Sequence, residues 1–468
     1  MNANRTEGLS AVLAHFVAHA CLKDVGVRAR DMSARILTDT LGVMIAGTTS
    51  EIAPVLWRYL DLDRETGHPL IFEPFYETGP ETAAWTYASL GAAIDFDDVL
   101  SMMPGHPSAI ILGALLAMAD THCISGPRLI DAHIVGLEVG ARIGAGLGLG
   151  HYNQGFHATG TVGIFSALAA LGRVLVLDTT TLESAFGIAC SMASGLNRNF
   201  GTMTKAMHSG WAARSAMTAI CLARAGLTAS ALALEGAAGF FPAFGTPESS
   251  ASRTMQGLEG PWVINEPGVS LRKFACYNAN QRPMQALLDL KAQMKFEVGE
   301  IERIDCLMPP GAMQGSIYCA PVTGLEAKFS LHYVLAAGAL DGRYGLSTFS
   351  DEAVSRSDIA HMLERVTARE DPSCRGSHPD FERQTPGTRG FVQLTITLKD
   401  GRQQSVQVHT SPGHPSIGLT WLEIEEKFMD CAMTAGLDNT YAQTIFSAMS
   451  HLDDCQDITS IYRRAYSI

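Results

Sequence analysis

From the first residues to about residue 265, apolar side chains recur at spacings of three and four, the periodicity of helices that bury one stripe. Segment 30–47, RDMSARILTDTLGVMIAG, shows it and stops on Gly47. Segments 81–94, 108–122, 127–148, 160–176, 181–195, 209–226 and 228–235 repeat it, and alternating strand-like runs are absent. Ala, Leu, Met and Gly dominate, and several segments are apolar all round, as buried helices are. Ser125-Gly126-Pro127, Gly172-Arg173 and Gly239 before Pro242 mark stops.

The pattern changes near residue 265. NEPGVSLRKF has the Pro and Gly of a connection, residues 281–295 predict a helix, and IERIDCLMPP alternates like a strand. Residues 323–341 and 352–368 predict two more helices. GFVQLTITLKDGRQQSVQVH is the clearest hairpin, two alternating runs joined by Lys399-Asp400-Gly401-Arg402. Residues 418–447 return to helix. The expected architecture is mainly α: a large all-helical domain over 1–267 and 412–468, and a smaller α+β domain over 268–411.

Composition narrows the function. At 468 residues the chain exceeds what one core holds, and 47% apolar against 17% charged residues supplies a large interior. A formal net charge of −13 argues against a nucleic-acid or anionic-membrane partner, either of which needs a clustered cationic surface. No apolar stretch reads as a membrane span, and MNANRTEGLSAVLAHF lacks the plan of a secretory leader. The ten cysteines are scattered without C-x-x-C or metal spacing. They read as reduced core thiols of a cytoplasmic protein, with no metal site.

Four clusters carry possible chemistry. The first is Asp95-Phe96-Asp97-Asp98-Val99 with Gly105-His106-Pro107-Ser108. Three acids at the end of an apolar helix oppose its dipole, which invites a functional reason, although a solvated loop also fits. The second, Gly155-Phe156-His157-Ala158-Thr159-Gly160, precedes a helix, where free N–H groups favour an anion beside a histidine. A buried hydrogen-bonding histidine explains it equally well. In the third, Lys205 and His208 share a helical face three residues apart. A lysine among Gly, Ala and Met is costly to bury unless paired; a surface turn is the alternative. The fourth, Arg272-Lys273-Phe274-Ala275-Cys276-Tyr277 followed by Gln281-Arg282, lies at the expected domain boundary, a favoured place for substrate sites. Cys276 reads as a packed thiol.

Taken in order with DTLGVMIAG and VTGLEAKFSLHYVLAAGALDG, these segments resemble the MmgE/PrpD family of 2-methylcitrate dehydratases. That family includes cis-aconitate decarboxylase and iminodisuccinate epimerase. The resemblance implies a helical domain plus a smaller α+β domain, an active site in the interdomain cleft, no metal or organic cofactor, and a homodimer acting on a small polycarboxylate. Carried over by position, it implies Asp95, His106, His157, Lys205, His208, Lys273 and Tyr333 as site residues. Arg282 joins Lys205 and Lys273 as an expected carboxylate anchor, with the helix starts near Ser108 and Thr159 beside them.

Two departures from the family pattern bear on the reaction. Val99 stands where dehydratases and decarboxylases of the family carry Thr. Asn278 to Gln285 offers amides where they often carry His and Asp. An amide cannot protonate a leaving hydroxide. This ranks epimerisation of an iminodisuccinate-type diacid first, with His157 as base and Lys273, Tyr333 or His106 as the opposing acid. Asp95 then orients a neighbour, and Lys205, His208 and Arg282 bind substrate. Dehydration of the 2-methylcitrate type or decarboxylation of the cis-aconitate type is the alternative, and an inactive diacid-binding relative the second alternative.

Overall fold

The computed structural model describes residues 8–23, 25–62, 68–69, 77–258, 260–294, 296–377, 381 and 387–462. Residues 1–7, the start of the segment read for a leader, lie outside them. The chain divides into two compact units. One contains Met1–Asn199, Met203–Ser270 and Thr420–Ile468, the other Phe200–Thr202 and Leu271–Leu419.

The first unit is helical. Every residue of the helix Pro107–Ala119 is buried, as is every residue from Ile36 to Gly47 of the helix Val27–Gly47. Around them pack the helices Pro80–Ala92, Gly126–Leu147, Gly163–Val174 and Thr204–Arg224. Proline in the first turn starts three of these elements, at Pro80, Pro107 and Pro127, where its missing N–H has no helical partner to lose. Small residues let the axes approach. A Cβ on Gly210 would stand 2.6 Å from the Trp85 carbonyl oxygen, so Thr204–Arg224 meets Pro80–Ala92 only with glycine there. The helix Trp421–Thr434 packs on Val27–Gly47 and completes this unit from far along the sequence. A two-residue antiparallel ladder joins His68–Pro69 to Glu77–Thr78.

The second unit holds a four-stranded sheet in the order Val366–Glu370, Ile301–Met308, Val392–Leu398, Gln403–Val408. The first pair is parallel and the other two antiparallel. Val392, Leu394, Ile396 and Leu398 are buried, and burying each such side chain is worth about 1.5–3 kcal/mol. The hairpin turns at Lys399 to Arg402, with Gly401 at φ +88°. The helix Gln281–Met294 packs against both hairpin strands and against the helix Leu331–Asp341.

Three expectations need correction. Residues 228–235 form no helix: 228–230 are irregular and 231–235 are turns, and Ala233 and Leu234 give their carbonyls to Phe240 and Phe241 instead of to their own next turn. Residues 352–368 break into Asp351–Val354, Ser357–Leu363 and the start of the strand Val366–Glu370. All ten cysteines are unpaired thiols, but Cys21, Cys123 and Cys319 are exposed, so the core reading holds only for some, such as Cys276, Cys306, Cys374 and Cys431. No helix among the described residues is long and apolar enough to cross a membrane.

Candidate active site

The acid loop begins where the helix Pro80–Ala92 ends. Asp95 takes a left-handed backbone, φ +56°, which costs a non-glycine residue about 1–2 kcal/mol and is best tolerated by Asp and Asn. Its buried carboxylate pairs with the ammonium of Lys205 in the first turn of Thr204–Arg224. The loop continues into two short bridges. Val99 exchanges main-chain hydrogen bonds with Ser270 at 2.8 and 2.9 Å, and Leu100 donates to Gly105 at 2.9 Å.

Lys427, on the helix Trp421–Thr434, props this loop from beneath. Its ammonium donates to the Phe96 carbonyl at 2.8 Å, lies 3.8 Å from the Phe96 ring centroid and pairs with Asp39 at 2.7 Å. Lys427 falls in the buried stripe Ile424, Lys427, Phe428, Cys431. Sequence reasoning passed over it, although a lysine at a core position of an amphipathic helix was the available signal.

His106 caps the helix Pro107–Ala119 and is only partly buried. Its Nδ1 lies 2.6 Å from the Asp98 carbonyl oxygen. A carbonyl only accepts, so Nδ1 carries hydrogen, and Nε2 is the nitrogen at which this ring gains or loses a proton. Asp98 is fixed in turn. Its carboxylate accepts from the Ser108 N–H at 3.2 Å and hydroxyl at 2.6 Å, and that hydroxyl contacts His133 Nε2 at 3.0 Å. His133 Nδ1 meets the Ser33 hydroxyl at 2.8 Å. Burial pushes Asp98 up to about 7 and His133 down to about 3. This chain also corrects one expectation: the anion at the helix start near Ser108 is the protein's own Asp98.

His157 stands at the entry to the short helix Ala158–Thr161. Its N–H donates to the Gly195 carbonyl at 3.1 Å, and Phe156 bridges Leu196. Gly160 must be glycine, since a Cβ would collide with the Ser194 carbonyl oxygen. These contacts bring His157 against His208, one turn beyond Lys205. The two Nδ1 atoms lie 2.8 Å apart. The rings of His106 and His157 are 6.2 Å apart, and Thr159 ties the two loops by accepting the His106 N–H at 3.2 Å. Burial, and then the Lys205 charge, push His208 down to about 4, so it is neutral at physiological pH.

Five residues singled out in the sequence, Asp95, His106, His157, Lys205 and His208, therefore meet inside the first unit. The other three belong to the second. Lys273 is half-buried, and its main-chain N–H donates to the Gln281 side chain at 3.2 Å. Arg282 is no carboxylate anchor: its fully buried guanidinium donates to the carbonyls of Gly390, His409 and Arg389 at 2.9, 3.3 and 3.0 Å. Tyr333 is buried with its hydroxyl donated to the Thr348 carbonyl, and burial pushes it up to about 12, a poor proton donor at neutral pH.

The amides that set the reaction ranking also serve the fold. Gln281 accepts from the N–H of Lys273 and Phe274 and donates to the Phe274 carbonyl at 2.8 Å. Asn280 accepts from Ser316 at 2.8 Å. Both shape their own unit, so their neutrality says nothing about a missing catalytic acid.

A buried lysine–carboxylate pair thus lies among three histidines in the first unit. The MmgE/PrpD N-terminal domain model matches residues 11–253 and the MmgE/PrpD C-terminal domain model residues 274–452. The chain belongs to the MmgE/PrpD family. It is 26% identical over 453 residues to the cis-aconitate decarboxylase of Mus musculus, covering 92% of this chain and 88% of that protein. Against the Homo sapiens cis-aconitate decarboxylase it is 26% identical over 450 residues, covering 92% and 89%. Against that of Aspergillus terreus it is 25% identical over 402 residues, covering 78% and 79%. These relatives are decarboxylases, which overturns the preference for epimerisation drawn from the amides.

Proposed function

We propose that this chain is a lyase that removes CO2 from a small unsaturated tricarboxylate of the cis-aconitate kind. The observation that carries the reading is the buried Asp95–Lys205 pair set against His106, His157 and His208, taken with relatives that bear this activity across both domains. In such a reaction the bond between the skeleton and the departing carboxylate breaks. Its electron pair stays on the skeleton, delocalised towards a remaining carboxylate, and one proton forms the new C–H bond. The ammonium of Lys205, fixed by Asp95, serves the charge that gathers on the remaining carboxylate. An imidazolium supplies the proton, and a histidine is the side chain whose ordinary pKa suits that task near neutrality. His157 is the assigned donor, and His106, whose Nε2 is not used by its carbonyl partner, accepts and relays the proton.

A homodimer in the cytoplasm is part of this reading, and a monomeric mass by light scattering would remove the dimer from it. The test of the reaction is incubation of the purified chain with cis-aconitate. Stoichiometric CO2 and a five-carbon unsaturated diacid are expected. Alkene formation from a hydroxy-tricarboxylate without CO2 would replace the reading with dehydration. Saturable binding without turnover would replace it with the inactive relative.

A further inference from the structure

The 2.8 Å contact between His157 Nδ1 and His208 Nδ1 joins two atoms that can each donate or accept, and it requires that one proton lie between them. Two polarities are possible, and they differ in what they allow His157 to do. If His208 donates, His157 accepts at Nδ1 and carries its hydrogen at Nε2. Giving up that hydrogen would leave an imidazolate, and a second proton could enter only at the Nδ1 already facing a donor. If His157 donates, its Nε2 can alternate between lone pair and N–H while the contact survives in both states. Only the second polarity lets His157 exchange protons without breaking its neighbour's hydrogen bond.

The surroundings of His208 fit the accepting role. It sits one turn from the Lys205 ammonium on the same helix, is 1% exposed, and has the Trp211 ring centroid 5.8 Å away. Glycines bring the facing chain close: a Cβ at Gly160 would lie 3.4 Å from His208 Cβ, and one at Gly195 would lie 3.5 Å from its Cγ. A buried imidazole next to an ammonium stays unprotonated. Neutrality leaves it one lone pair, and placing that lone pair at Nδ1 is the polarity that keeps the contact intact when His157 gains or loses a proton at Nε2. Among the charged and titratable groups that face the pair are Lys205 with its partner Asp95, and His106 beside His157.

We propose that His208 is the positioning residue of His157: its unprotonated Nδ1 permanently accepts the His157 Nδ1–H, so that His157 exchanges protons only through Nε2. His208 thus takes the place that a carboxylate holds in a hydrolase triad, fixing tautomer and ring orientation. Because a neutral ring replaces the carboxylate, it orients His157 without raising its basicity through a full negative charge. This inference rests on the proposed lyase site for its purpose, but the proton's location is measurable without any substrate.

The experiment uses the full chain with 15N-labelled histidine. Signals are assigned by their loss in either His157→Gln or His208→Asn, so one well-folded variant suffices. Between pH 6 and 8, His208 is expected as the Nε2–H tautomer and His157 with Nδ1 protonated throughout. A protonated Nδ1 on His208 overturns the proposal. Kinetics add a second readout. His208→Ala should lower kcat about 100-fold with KM nearly unchanged, whereas His208→Asn, which can still present an acceptor near the Nδ1 position, should recover most of that loss. A rise in KM with unchanged kcat in both variants would instead make His208 a substrate contact. If cis-aconitate is not turned over while the tautomers are as stated, the lyase reading fails and the positioning assignment stands.

Discussion

The candidate residues of the two units differ in what their buried polar side chains meet. In the first, titratable groups face one another: Asp95 meets Lys205, His157 meets His208, and Asp98 is linked through Ser108 to His133. In the second, Arg282, Tyr333 and Gln281 are turned to main-chain groups. A carbonyl cannot titrate, so an arginine or a tyrosine hydroxyl whose donors go to carbonyls keeps one state and serves architecture. A side chain bonded to another titratable group has several states of similar energy and can move a proton. Arginine or tyrosine near a domain boundary is therefore no evidence of a substrate contact until its partner is known.

The contrast predicts where each substitution acts. His157→Gln should lower kcat for the proposed reaction about 10²- to 10⁴-fold and leave the urea midpoint little changed. A loss of stability with normal turnover in the folded protein would place His157 with the architectural group. Arg282→Met should show the reverse, since three carbonyls lose their donor. About 3 kcal/mol of unfolding free energy should vanish in urea titrations, with KM and kcat unaltered. Tyr333→Phe removes one buried hydrogen bond and should cost about 1 kcal/mol by the same measurement, again without a kinetic effect.

A further effect concerns pH. Asp98 has a folded pKa near 7, above its unfolded value, so its contribution is complete below about pH 4 and is lost as pH rises through 7. His133 has a folded pKa near 3, below its unfolded value, so its contribution is complete above about pH 6.5 and is lost as pH falls towards 3. Between about pH 4 and 6.5 the two slopes oppose. Asp98→Asn should therefore make stability fall more steeply on acidification than in the parent, as read from urea midpoints across pH. A curve that flattens in this variant would break the assignment.

Local pattern made the helical class legible, because Pro80, Pro107 and the Gly126-Pro127 pair punctuate periodic runs at sites the structure uses. The hairpin was legible for the same reason, with Gly401 at the turn. The strand Val366–Glu370 was not, since its parallel partner lies some sixty residues back and no adjacent turn announces it. At the site, Asp95, His106, His157, Lys205 and His208 stood out as polar groups in apolar surroundings. Arg282 stood out equally, and only the carbonyls of residues 389, 390 and 409, over a hundred positions away, reveal its use. The Ser33–His133 and Phe96–Lys427 pairings were hidden for that same reason of distance.

The prop beneath the acid loop carries a consequence for how the protein is made. Asp95 and its neighbours leave the ribosome early, but the ammonium that holds the Phe96 carbonyl belongs to residue 427. A nascent chain released or cleaved after the hairpin at 403–408 would hold every histidine of the site and the Asp95–Lys205 pair, yet Asp39 would be buried without its cation. The order of synthesis therefore bears on the loop: until residue 427 has been made, the Phe96 carbonyl lacks this donor and Asp39 lacks this cation.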